Sequence, residues 1–195
     1  MTGETKRSVW IALGQVALVV LSVGLGLAVG EWRQTTADAE RAALAVDGAV
    51  REIARNRGQV ASAIGYHDEL LRDIEAGQTS VNLRPAFVTD NAWETAQAAG
   101  VVPDLPFEVV EQLSAIHDVQ DTYLELAKVS VSLLYTVSVF QGDALGTRMQ
   151  GFSGNVSDLR FFEQRLLALY GDALVAIDAA GYAVPDSLLD ADGPG

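Results

Sequence analysis

The feature that most constrains this chain is a run of twenty-two residues, 9–30, with no charged side chain between Arg7 and Glu31. Gln15 is its one strongly polar side chain. A core helix of an ordinary globular protein carries a polar face, and this stretch has none. Trp10 and Trp32 bracket it. At ~1.5 Å per helical residue they stand ~33 Å apart, close to the ~30 Å hydrocarbon thickness of a bilayer. Tryptophan favours the headgroup boundary, so the pair reads as two interfacial anchors around a transmembrane helix.

The rival is a cleaved signal peptide, with Lys6 and Arg7 as its basic leader and Ala28-Val29-Gly30 as its small-residue site. Signal-peptide cores run to about 7–15 residues, shorter than this one. A helical pattern also continues past Glu31, so the anchor reading is preferred. Residues 1–8 are then a short N-terminal tail and 9–30 the span. Ser22, Gly26 and Gly30 fall four apart on one face, a small-residue ridge along which membrane helices can associate.

Of the net charge of −13, the first thirty residues hold only Glu4, Lys6 and Arg7. The remainder carries 25 acidic and 11 basic groups, a net of −14. Such a domain repels phosphate backbones, which argues against nucleic acid as a partner. A short basic N-terminus before an acidic domain favours the N-terminus inside. The expected place is the bacterial inner membrane, single-pass, with the helical domain in the periplasm. The chain has no cysteine, hence no disulfide and no thiol chemistry.

From Trp32 a 3–4 alternation gives Ala39, Ala43, Val46, Val50, Ile53, Arg57, Val60, Ile64, His67, Leu71 and Ile74, nine of eleven apolar. This is a coiled-coil heptad in phase with the span. It predicts one continuous helix over about 9–76, stopped by Gly77. Gly48, Gly58 and Gly65 inside it point to close packing or a bend. After a loop with Pro85, Asp90 or Asn91 can cap a short helix that carries Trp93 and ends at Gly100. Pro106 suits the first position of the next helix, whose stripe is Val109, Leu113, Ile116, Gln120, Tyr123, Ala127 and Leu134. Residues 129–142 carry no charge and alternate Val with Ser, so they read as helix or strand, the helix being favoured. Residues 143–155 read as a loop or short helix. A last helix starts near Ser157, buries Leu159, Phe162, Leu166, Leu169, Ala173 and Ile177, and ends at Gly181. The expected fold is all-α: an N-terminal transmembrane helix running into the long helix of an approximately four-helix bundle over 31–181, with 182–195 a mobile tail.

Chemistry is sparse. His67, Arg57, His117 and Asp121 form a candidate buried polar cluster, with Asp118, Asp121 and Glu125 as possible partners for Arg57. No Glu-x-x-His pair, zinc-protease motif, phosphate loop or nucleophile elbow is present. No catalytic residue, cofactor or metal is therefore expected.

Glu31-Trp32-Arg33 leaving the membrane, Glu52 and Asn56 in REIARN, and Trp93 in NAWETAQAAG resemble a family of uncharacterised bacterial single-span membrane proteins, a domain of unknown function. The resemblance implies an anchor and a helical domain, and no catalytic residues. Two roles remain open. One is a non-enzymatic bundle, held in the lipid bilayer, that associates with itself or other membrane proteins in an envelope complex. The other is an extracytoplasmic ligand-binding or sensory module acting through a separate partner.

Overall fold

The structure, a computed structural model, describes residues 3–78, 82–139 and 144–190, with side chains at 21–22, 25–26, 29–78, 82–135 and 149–190. It is all-helical, with no strand among the described residues. The elements are α1 (Gly3–Glu75), α2 (Asn91–Ala98), a 3-10 turn (Val102–Asp104), α3 (Phe107–Val139), α4 (Ala144–Ala179) and α5 (Asp186–Leu189). Two compact units divide the chain, Met1–Arg41 and Ala42–Gly195.

In the first unit the helix is already formed at Gly3, earlier than the expected start near residue 9, so it takes in residues 3–8 of the expected N-terminal tail. Leu21 is 64% exposed, Leu25 66% and Trp32 68%, and Ser22, Gly26 and Gly30 are exposed as well. The side chain of Trp10 lies outside the described residues. Among the described residues no helix is long and apolar enough to cross a membrane.

The second unit is built on three heptads. On α1 the buried line is Ala42, Val46, Ala49, Ile53, Asn56, Val60, Ala63, His67 and Leu70. The expected stripe shares Val46, Ile53, Val60 and His67 with it, and Val50 and Ile64 are buried beside it. Ala39 and Ala43 are exposed, and Arg57 and Leu71 are half-buried. The seam is turned toward three alanines, Ala42, Ala49 and Ala63, whose small side chains add little to a hydropathy pattern. On α3 the line is Val109, Leu113, Ile116, Gln120, Tyr123, Ala127 and Ser130, matching the expected stripe through Ala127. Residues 129–139 belong to this helix and 140–143 lie outside the described residues.

On α4 the line is Met149, Phe152, Val156, Leu159, Glu163, Leu166, Tyr170, Ala173 and Ile177. The expected loop or short helix over 143–155 is instead the first part of one long helix, α4, which begins at Ala144. Its glycines lower local helix propensity, but burial of Met149, Phe152 and Val156 outweighs that, at about 1.5–3 kcal/mol per large apolar side chain. Phe162, expected in the core, is half-buried.

Helix ends follow the glycines. Gly77, Gly100 and Gly181 each take a positive φ, and each closes a paired 6→1 and 5→2 hydrogen-bond set on the helix before it. Of the expected close-packing glycines in α1, Gly48 would place a Cβ in ordinary contact with Ala92 at 4.0 Å, and Gly58 and Gly65 have open space, so close packing requires a glycine at none of the three. Of the expected tail over 182–195, residues 182–190 lie on the bundle. Val184 is buried, Tyr182, Leu188 and Leu189 pack on the core, and α5 docks there; 191–195 lie outside the described residues.

Cross-helix pairs fix directions. Asp68 pairs with Arg160, His67 with Glu163, and Tyr123 with Glu163, while Gln120 meets Tyr170. Numbers fall on α1 and on α3 as they rise on α4, so both run antiparallel to α4 and parallel to each other. Parallel neighbours need a return path, and residues 82–90 supply it as an extended strap. Tyr66 donates to the Asn82 carbonyl, and Asn56, nearer the start of α1, bonds Thr89. The strap therefore runs back along α1.

Candidate functional site

A strap without regular structure must find partners for its own peptide groups. Here the seams provide them in two polar layers, each drawing one side chain from α1, α3 and α4.

The first layer is His67, Tyr123 and Glu163, all fully buried. His67 Nδ1 lies 2.9 Å from Glu163 Oε2, and the Tyr123 hydroxyl donates to Glu163 Oε1 at 2.9 Å. The same hydroxyl accepts from the Ala86 amide of the strap. Burial, reinforced by the Glu163 carboxylate, pushes the Tyr123 phenol far above its usual range. His67 Nε2 has no partner among the described residues.

The second layer is Asn56, Gln120 and Tyr170. The Asn56 amide grips Thr89 from both sides, Nδ2 donating to its carbonyl at 2.6 Å and Oδ1 accepting its N–H at 3.2 Å. Gln120 Nε2 donates to the Tyr170 hydroxyl at 2.9 Å and lies 3.3 Å from the Thr89 carbonyl. Burial also raises the Tyr170 phenol, with hydrogen bonds from Gln120 and Asn56 opposing it.

One turn before Asn56, buried Glu52 accepts from the Ala92 amide and the Thr89 hydroxyl, both at 3.3 Å. Burial raises its carboxyl above the usual value, against the lowering effect of those bonds. Glu52 thus serves the start of α2. Asp90, one of the two expected caps with Asn91, holds the N-cap position but makes no side-chain capping bond. Its carboxylate instead sits 2.9 Å from His117 Nδ1. His117 Nε2 in turn lies 3.8 Å from Asp121 Oδ2.

Between these groups lies a cavity of about 20 Å³, lined by Glu52, Asn56, Asp90, Trp93, His117, Gln120, Tyr170 and five apolar residues. That volume holds one water. Trp93 is buried and its indole Nε1 has no partner among the described residues.

The four residues read as one cluster are dispersed. His117 and Asp121 meet, His67 belongs to the first polar layer, and Arg57 donates to the Leu188 carbonyl at 2.8 Å, tying down α5. Arg57 and His67 stand ten residues apart on α1, roughly 15 Å along its axis. Sequence reasoning missed Glu163 and Tyr170, although their seven-residue spacing marks them as one seam. It missed Thr89 because the strap carries no periodicity. Compared with models of protein families, with curated proteins and with solved structures, the chain matches none.

Proposed function

We propose that this protein is a single-span, membrane-anchored helical bundle that works by association in a bacterial envelope complex and not by catalysis. What carries the reading is the apolar run 9–30, whose described apolar side chains, Leu21, Leu25 and Val29, are exposed. Apolar surface of this kind is matched by lipid tails and not by water. Ser22, Gly26 and Gly30 would form the face for a second membrane helix; a Cβ at Gly26 or Gly30 meets nothing within 4 Å. The buried polar groups support a non-catalytic role, because nearly all are engaged by the strap or by each other.

The full chain should stay with the membrane pellet through alkaline carbonate extraction, and release into the supernatant overturns the anchor. Since the chain lacks cysteine, one cysteine placed at exposed Asp178 reports orientation. Labelling of intact cells by an impermeant maleimide is expected for a periplasmic bundle. Crosslinking in membranes should trap a dimer or a partner, and recovery of monomer alone removes the association role. A second reading, a ligand-binding module acting through a separate partner, draws on the cavity at Trp93 and its unpartnered N–H.

A further inference from the structure

We infer that His117 is a proton-operated clamp: its imidazolium form, bracketed by Asp90 and Asp121, locks the end of the strap and the start of α2 onto α3, and loss of the proton loosens them. The two carboxylates stand at opposite edges of the ring. Asp90 Oδ2 lies 2.9 Å from Nδ1, and Asp121 Oδ2 lies 3.8 Å from Nε2. A neutral imidazole has a single N–H to give. With that proton on Nδ1 for Asp90, the Nε2 lone pair faces a second carboxylate. The imidazolium presents an N–H to each edge and sets one positive charge between two negative ones.

Burial divides the work between the two acids. The side chains of His117 and Asp90 are 25% and 23% exposed, whereas that of Asp121 is 63% exposed. Water and salt screen Asp121 more, so Asp90 carries the larger share of the attraction. Asp90 is also free to do so. It holds the N-cap position of α2 without a side-chain capping bond, and Glu52 takes the Ala92 amide in its place.

What singles this contact out is the pH at which it changes. Residues 82–92 are held by Tyr66, Tyr123, Asn56, Gln120, Glu52 and His117. Amides do not titrate, and phenols ordinarily ionise near pH ~10. Histidine is the side chain whose charge ordinarily changes between about pH 5 and 8. The ring is faced by Asp90 at the start of α2 and by Asp121 on its own helix, with exposed Asp118 beside it in sequence. Across the small cavity stand Glu52 of α1 and Tyr170 of α4, and Arg55 lies 3.9 Å from Glu52. A histidine that gains anionic partners on folding adds stability that is complete at low pH and is lost as pH rises through the histidine range. Burial raises the Glu52 carboxyl, so a proton there acts with the same sign. Mild acid therefore tightens the strap. The clamp lies wholly in the second unit and is independent of both the membrane anchor and the ligand-binding reading.

The test is hydrogen exchange of the full chain in mild detergent at about pH 6 and pH 8, corrected for the intrinsic exchange rate. Surface carboxylates stay ionised across that span. Protection of the amides in 88–92 should fall roughly two- to fivefold at the higher pH, the size expected of partly exposed ion pairs. His117→Gln keeps a donor for Asp90 but takes up no proton, and should abolish the fall. Asp121→Asn should reduce it, and Glu52→Gln should preserve it. The imidazole resonance that disappears in His117→Gln should shift across the same span in the parent. Circular dichroism checks that each variant stays helical; if His117→Gln does not, exposed Asp121→Asn and the parent's resonance decide. Equal protection at both pH values in the parent overturns the clamp. So does a fall that persists in a folded His117→Gln, a resonance that does not move, or a fall that vanishes in Glu52→Gln, which would place the proton on Glu52.

Discussion

In the first unit Leu25 is 66% exposed, whereas in the second Glu163 is 0% exposed. Each unit inverts the usual rule, one with oil on the outside and the other with a carboxylate inside. The contrast teaches that the two units solve different problems. An exposed apolar helix needs a surrounding that is not water, which here is the proposed bilayer. A buried carboxylate needs fixed partners, and His67 and Tyr123 are those partners. Apolar seams alone would let three heptads slide past one another by a turn. Polar layers that pair only in one alignment hold them in register, a use of buried polar groups known from coiled coils.

The comparison can be broken most sharply at Glu163. Glu163→Ala strands the Tyr123 hydroxyl and His67 in the core and leaves a cavity. Removing one partner of such a pair costs about 3–5 kcal/mol, read by chemical denaturation of the bundle. A loss under about 1 kcal/mol would show that the first layer does not hold the seams.

Next is Leu21→Asp, near the middle of the apolar run. A carboxylate at the centre of a spanning helix costs about 2.5–3.5 kcal/mol in membrane insertion. Carbonate-resistant protein should fall steeply while the melting of the bundle stays as in the parent. Unchanged membrane retention would remove lipid as the partner of this helix.

Asn56→Ala should lower stability by about 1–3 kcal/mol, because it leaves the Thr89 N–H unpaired and its carbonyl with only the 3.3 Å bond from Gln120. Its signature is local: amide exchange in 82–90 should quicken more than in α3. Uniform acceleration would show that the strap and the helices open together.

The smallest effect is in pH. The folded state keeps the Tyr123 and Tyr170 phenols neutral, with both values raised above the ordinary 10.0. The stability they contribute is complete below that pH and is lost as pH climbs through the raised values. Two of the five tyrosines should therefore ionise only as the chain unfolds, followed by phenolate absorbance. Five tyrosines titrating together without unfolding would place these phenols in solvent.

The helices were legible because burial leaves a period. The α3 stripe from Val109 to Ala127 and the stops at Gly77, Gly100 and Gly181 could be read directly. The α1 seam was legible only in part, since Ala42, Ala49 and Ala63 pack well yet give little hydropathy contrast. That is why Arg57 seemed to interrupt a seam it merely flanks. The start of α4 was hidden by Gly146, Gly151 and Gly154, whose helical state depends on packing. The polar layers were hidden further. Asn56, Gln120 and Tyr170 come together only through a strap with no pattern of its own, and a pairing across 96 residues such as His67 with Glu163 leaves no local trace.

That long-range pairing sets a timetable. During synthesis, α1 emerges with its seam complete and meets the strap soon after, but His67 has no carboxylate to pair with in its layer until α4 is made. At ~5–20 residues per second, the ribosome needs roughly 5–20 seconds to deliver Glu163 after His67. The alanines that blur the seam also make it less sticky during that interval, so the same modest side chains that hide the helix from a reader shield the newborn chain from its neighbours.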